Sequence, residues 1–274
     1  MPVEKLLVGF DSAWSAANQG ALVGALVEGT NVTPLSPSVN ANFSQALAQI
    51  QQWQYQWQPQ TTWVGIDQPV IVPNERGQRP VEHILCGLIS RRRGGMQPAY
   101  RAKANLFGDA APVWSFLTAF PGDPTQLHPT QSTQVFEVYP TLLLMHLGWL
   151  VPDAQGRLRL PKYNPANTRQ FQWADWQMLC QSLLAWFAPL GVDLWMDQLQ
   201  ALSRLERPRK ADQDQVDALL CWVSVWYRWQ GQAWQVGNPE TGFLLNPLHE
   251  DLMNEVWQRT IATGRDPQYF LTKV

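Results

Sequence analysis

Cysteine is scarce in this chain. Cys86, Cys180 and Cys221 are widely separated and odd in number, with no Cys-x-x-Cys pair, so neither a disulfide framework nor a zinc ribbon is supported. Histidine is nearly as rare, and His83, His128, His146 and His249 show no metal-ligand spacing. Charge is sparse too. Charged residues make up 15% of the chain and the formal net charge is -2, so no global basic field announces a nucleic-acid partner, which would have to be held by local patches. Long apolar runs are missing: the most apolar window, 142–151, is interrupted by His146 and falls far below the ~20 residues that span a bilayer. Only five apolar residues separate Lys5 from Asp11, too few for a signal-peptide core. No Gly-x-Ser-x-Gly elbow accompanies Ser12 or Ser15, and no repeat or low-complexity tract occurs. Reduced thiols, no membrane association and a cytoplasmic location are expected.

Tryptophan is abundant, with 15 residues. Aromatic rings can stack on unpaired bases, but Trp222, Trp226 and Trp229 follow spacings of four and three, which puts them on one helical face and favours a core role. At 274 residues the chain can bury roughly three quarters of the surface it would expose unfolded.

The first third reads as strand, turn, strand, turn, strand. Leu6–Asp11, Gly20–Glu28 and Asn31–Leu35 are joined by connections short enough for an antiparallel meander. Phe43, Leu47, Ile50 and Trp53 recur at helical spacing up to Trp57, and Pro59 stops that helix. Trp63–Asp67 follows as a strand that needs a crossover to reach the sheet and is expected parallel to the first. An Arg, Pro and Gly-rich insertion covers 70–133, with Val81–Ser90 as its main helix; so long an irregular stretch is more often functional than a mere connector. Gln134–Tyr139 reads as a fifth strand and Thr141–Leu147 as a buried helix. A helical insertion over 152–208 contains Trp173–Phe187 and Val192–Leu205. Asp212–Trp229 is a long amphipathic helix, and a hairpin around 234–245 and a last helix, His249–Ile261, complete the chain. The expected architecture is a single α/β domain over 1–274. Its mixed five-stranded sheet, three antiparallel strands then two parallel, is flanked by helices, with the helical insertion and a C-terminal hairpin plus helix.

Carboxylates sit at the ends of these elements. Asp11 closes Leu6–Phe10, Asp67 closes Trp63–Ile66, Glu137 follows Val135-Phe136, and Asp214 and Asp217 stand three apart before Ala218-Leu219-Leu220. Taken singly, each has an ordinary explanation. Acids suit a first helical turn, Asp67 before Gln68-Pro69 suits a turn, and Glu137 suits a strand edge.

Together they carry a resemblance. The β, β, β, α, β, α, β, α order is that of the ribonuclease H-like fold; Gly9-Phe10-Asp11 resembles that superfamily's first-strand aspartate and Gly65-Ile66-Asp67-Gln68-Pro69 its fourth-strand acid. Asp214-Gln215-Val216-Asp217-Ala218 resembles the paired acids on the last core helix of the Holliday-junction resolvase branch. With Phe136-Glu137-Val138-Tyr139-Pro140 and Asn74-Glu75-Arg76-Gly77-Gln78-Arg79-Pro80, most of the chain resembles the predicted RNase H-like nuclease family catalogued as domain of unknown function four-two-nine.

That resemblance implies a nuclease that cleaves phosphodiesters with two Mg²⁺ or Mn²⁺ ions, which activate water and stabilise the leaving oxygen. Asp11 would bridge the ions, Asp67 would bind one, Asp214 and Asp217 the other, and Glu137 would be a further ligand or a second acceptor; Asp212 competes with Asp214. Lys210 would stabilise the leaving group or orient water. Arg76 and Arg79 are candidates for bidentate phosphate contacts, and Arg91, Arg92, Arg93, Arg101 and Lys103 extend the basic stretch, although an arginine run is more often a solvated surface. The partner is expected to be nucleic acid of undefined type. Two other classes compete: a catalytically inactive module that binds nucleic acid or protein, and an actin-like or sugar-kinase-like phosphotransferase. The latter needs a glycine-rich phosphate loop where this chain has Ser12-Ala13-Trp14-Ser15.

Overall fold

The computed structural model describes residues 4–127 and 131–274; His128 lies outside the described residues. The fold is mixed α/β, with a central sheet in the order β3-β2-β1-β5-β6 flanked by helices. β1 (Lys5–Asp11), β2 (Gly20–Glu28) and β3 (Asn31–Pro34) form the antiparallel meander, and a short β4 (Val39–Ala41) adds a further pairing to β2. α1 (Phe43–Trp57) starts at Asn42, whose side chain accepts from the Gln45 backbone N–H while the Gln45 side chain accepts from Asn42 N–H, a reciprocal cap. The crossover returns the chain as β5 (Thr61–Ile66), parallel to β1 with Gly65 opposite Gly9.

The 70–133 stretch holds α2 (Pro80–Arg91) and two short helices, α3 (Ala104–Phe107) and α4 (Pro112–Thr118). β6 (Thr133–Glu137) then pairs parallel to β5, with Glu137 opposite Ile66. α5 (Pro140–His146) leads to a two-stranded ribbon, β7 (Val151–Pro152) with β8 (Leu158–Arg159), and to α6 (Trp173–Phe187) and α7 (Asp193–Ser203). α8 (Lys210–Trp229) crosses the sheet over β1, β2 and β5. A second sheet, β10-β9-β11, contains the expected hairpin of β9 (Ala233–Asn238) and β10 (Gly242–Pro247). After α9 (Glu250–Ala262) and α10 (Pro267–Phe270), β11 (Leu271–Lys273) joins it.

Side chains alternate along a strand, so each strand residue has an assignable face. Phe10 packs edge-on against Phe43 at 5.4 Å and beside Phe116 at 5.6 Å, which sends it to the α1 and α4 side. Its neighbours Gly9 and Asp11 therefore face α8. The insertion closes over α8 through aromatic contacts, Trp195 on Trp222 at 4.8 Å and Phe187 on Trp222 at 6.0 Å, with all three rings buried. Among the described residues no helix is long and apolar enough to cross a membrane.

Candidate acidic site at the strand ends

Two glycines decide how closely α8 approaches the sheet. A Cβ at Gly9 would lie 2.2 Å from the Ala218 carbonyl oxygen and 2.4 Å from the Trp222 nitrogen, and one at Gly65 would lie 2.5 Å from Val225 Cγ2. Backbone of α8 thus rests directly on the Gly9–Gly65 pair. Asp11 and Asp67 each come two residues after one of these glycines and share its face. The Asp67 amide continues the ladder by donating to the Phe10 carbonyl at 3.0 Å, which holds Asp67 beside the end of β1. From α8, Asp214 and Asp217, three apart, are offered on one side.

Asp11, Asp214 and Asp217 are buried, while Asp67 keeps partial exposure. Asp217 is held at both oxygens: Tyr163 Oη donates to Oδ1 at 2.7 Å and Gln213 Nε2 to Oδ2 at 2.6 Å. Lys210, half-exposed, donates to Asp214. Burial, followed by the neighbouring charges of Asp217, Asp67 and Asp214, pushes the Asp11 carboxyl well above its ordinary value, with Lys210 opposing. Asp67 is raised in the same direction by burial, Asp217 and Glu137. Asp217 rises to about 6, chiefly through burial, against the lowering influence of Lys210, Tyr163 and Gln213. Burial alone would lower Lys210; the charges of Asp11, Asp217 and Asp214 raise it overall. Cys221, one turn beyond Asp217, is raised by burial and by Asp67, Asp11 and Asp217, so its thiol stays protonated beside the acids. The four aspartates thus form one electrostatic cluster. Among the described residues, however, no three His, Cys, Asp or Glu side chains are grouped so as to hold a metal ion as they stand.

The remaining expected residues are placed elsewhere. Glu137, opposite Ile66, faces the other side of the sheet from Asp67's glycine neighbour, and Arg79 grips both of its oxygens at 2.7 and 2.8 Å. Arg79 also donates to Glu82 at 2.7 Å and to the Ile71 carbonyl at 3.1 Å. These four bonds use four of a guanidinium's five N–H groups, and Arg79 is fully buried, which corrects the expectation that it grips phosphate. The same pairing removes Glu137 from the acids that face α8. Arg91 and Arg92 both pair with Glu255 of α9, at 3.4 and 2.6 Å, and Arg93 pairs with Asp153 at 2.6 Å. Arg101 pairs with Asp109, and Lys103 donates to the Pro98 carbonyl at 2.6 Å. The basic run is thereby tied into surface ion pairs instead of converging on the acids. Arg76 is exposed on the turn before α2. Asp212 accepts from the Arg209 amide at 2.7 Å and caps α8, which separates it from the Asp214 role.

Sequence reasoning missed Tyr163 and Gln213. Gln213 precedes Asp217 by four residues on one helix, a spacing that was available to read, whereas Tyr163 arrives from the insertion, 54 residues away, with no local signal. It also missed the Ser12–Gln68 bond of 2.6 Å, which ties the segments following Asp11 and Asp67 together. A cleft of about 290 Å³ opens beside Asp67, between Trp14 and the 95–97 loop, with Arg79, Glu82, Glu137 and Tyr139 in its walls.

Comparison with curated proteins and with solved structures gives no match. The model of the protein family of unknown function DUF429 matches residues 9–241, from the β1 glycine to the turn between β9 and β10, and the chain belongs to that family.

Proposed function

We propose that the chain is a metal-dependent nuclease with a ribonuclease H-like fold, hydrolysing phosphodiester bonds of nucleic acid at Asp11, Asp67, Asp214 and Asp217 with Mg²⁺ or Mn²⁺. The observation that carries this reading is the juxtaposition of carboxylates, buried except for the half-buried Asp67, at the ends of two adjacent parallel strands and on the helix that crosses them, with Lys210 as the nearest counter-charge. The mixed strand order, antiparallel then parallel, supports the fold assignment.

The donor set fits a hard divalent ion. All four groups are carboxylates, and Mg²⁺ is usually held by one or two such groups together with substrate phosphates. Burial and mutual repulsion raise Asp11 and Asp67, so the cluster lacks positive charge and gains from a cation. Tyr163 and Gln213 bond both oxygens of Asp217 and Lys210 bonds one oxygen of Asp214, so an ion there would compete with Lys210, whose side chain is half-exposed.

When bound, the ions supply an activated water and stabilise the leaving oxygen. Asp11, central among the acids, and Asp67 beside the cleft would hold them; Tyr163 and Gln213 fix the orientation of Asp217 by gripping its two oxygens. Lys210, once released, is positioned to donate a proton or a charged hydrogen bond to the departing oxygen. Glu137 acts behind the site by keeping Arg79 in place.

Labelled single strands, duplexes, an RNA–DNA hybrid and a four-way junction, incubated with Mg²⁺ and with Mn²⁺, provide the test. Products that need the metal and disappear in Asp11→Asn are expected. No cleavage of any member would reject the nuclease reading.

A further inference from the structure

The cleft beside Asp67 is already formed. Trp14 forms one wall, and its backbone lies in the left-handed region at φ 58°, an unusual conformation for a bulky residue that the surroundings must enforce. Its indole N–H donates to the Asp67 carbonyl at 2.7 Å, and its ring meets Phe107 edge-on at 5.8 Å. An aromatic face is therefore held rigidly within one residue's reach of a proposed catalytic acid. The 95–97 loop also lines the cleft and is pinned at both ends: Tyr139 Oη donates to the Gly95 carbonyl at 2.7 Å, and the Ala99 amide donates to Glu82 at 3.0 and 3.1 Å. Met96 supplies apolar surface there. Gln97 is exposed at the rim, and among the described residues its amide has no hydrogen-bond partner.

Shape and charge narrow the occupant. At about 290 Å³ the cleft sits at the small end of small-molecule sites (~300 Å³ upward) and has room for one nucleotide unit but not a stacked helix. Its walls carry the carboxylates of Asp67, Glu82 and Glu137 against the single guanidinium of Arg79, which disfavours a phosphate inside. A neutral planar ring, stacked on Trp14 with its edge towards Gln97, suits both the apolar and the polar lining.

We infer that this cleft takes one nucleobase, from a single-stranded or extruded nucleotide, and so places the adjoining phosphodiester at Asp11 and Asp67. The inference rests on the nuclease reading for the role of that phosphate, but the binding of the base stands independently. Enzymes that extrude a base hold it between aromatic or apolar side chains and read its edge by hydrogen bonds. Uninterrupted duplex is accordingly a poor substrate, and a strand end, loop or single strand a good one.

Calorimetric binding of nucleoside 5′-monophosphates and of 2-deoxyribose 5-phosphate, in Mg²⁺ with the full chain, tests this. The monophosphates are expected to bind about ten-fold or more tightly than the base-free sugar phosphate, the scale of stacking on one aromatic ring. Trp14→Ala should bring the ratio close to one and Trp14→Phe should keep most of it; Met96→Ala, which leaves the Trp14–Asp67 bond intact, should reduce it. Circular dichroism checks that each variant is folded. A ratio of one in the native chain, or a ratio unchanged in Trp14→Ala, overturns the inference. Metal-dependent cleavage with a ratio of one removes the base site and leaves the nuclease; a ten-fold ratio without cleavage on the substrate panel does the reverse.

Discussion

Asp217 illustrates what the metal-free site does to its own protein. Its folded pKa of about 6 lies above the usual 3.8, and Asp11 and Asp67 are raised in the same sense by burial and by the charge of Asp217. Between those values the folded state holds protons that the unfolded chain has released, so the stabilisation from this group is present at low pH and is lost as pH rises through about 6. Denaturant unfolding of metal-free protein should therefore show Asp217→Asn gaining on the native chain between pH 5 and 7.5, by on the order of 1–1.5 kcal/mol. Mg²⁺ should erase the gain. Parallel pH profiles for the two proteins would mean that the fold does not raise Asp217 as described. Arg79 allows a second residue-scale prediction. Arg79→Met strands Glu82 and Glu137, both buried, and should destabilise the fold by ~3–5 kcal/mol. Unchanged stability with weakened substrate binding would return Arg79 to the phosphate role. Asp11 and Asp67 were legible because each ends an apolar run, and Asp214 and Asp217 because they stand three apart at the start of a helix. The fate of Arg79 and Glu137 was not, because their bond spans 58 positions and depends on which strand residues share a face.

At the scale of elements, the site depends on α8 lying against the Gly9–Gly65 pair. Alanine at Gly9 meets only backbone, the Ala218 oxygen and the Trp222 nitrogen and Cα, so α8 itself must move and carry Asp214 and Asp217 away from Asp11. Overpacking of this kind costs ~1–3 kcal/mol or more. Gly65→Ala meets the Val225 side chain first, so adding Val225→Ala should restore much of the loss. Urea midpoints of the three variants check this; a neutral Gly9→Ala would show that the helix is not seated by contact. Long periodic elements were readable from sequence: α6 spans Trp173–Phe187 as its aromatic spacing implies, and β9 and β10 flank the expected turn. The elements that escaped notice, β4, β7, β8, α10 and β11, are two to four residues long and exist through pairing or packing with distant partners, which leaves little periodicity to detect.

For the whole molecule, tryptophan abundance serves packing: Trp176, Trp195 and Trp222 are fully buried, Trp176 ties α6 to α7 through Leu202, and Trp195 on Trp222 joins this helical region to α8, while the same region sends Tyr163 to Asp217. Its two helices, α6 and α7, were legible in the sequence, but its contribution to the site was not. Charge is equally telling. With a formal net charge of -2 and its arginine run spent on Glu255 and Asp153, the protein offers little positive field to a polyanion, so under the proposed nuclease reading a bound cation would supply the positive charge at the site. On the proposed reading, Asp11 and its neighbours bind divalent metal. Calorimetric titration of Mn²⁺ at pH 7 into the native chain and into Asp11→Asn tests it most directly. Saturable binding with proton release in the native chain, lost in the variant, is the predicted result; no saturable heat, or identical isotherms for the two proteins, would contradict the account.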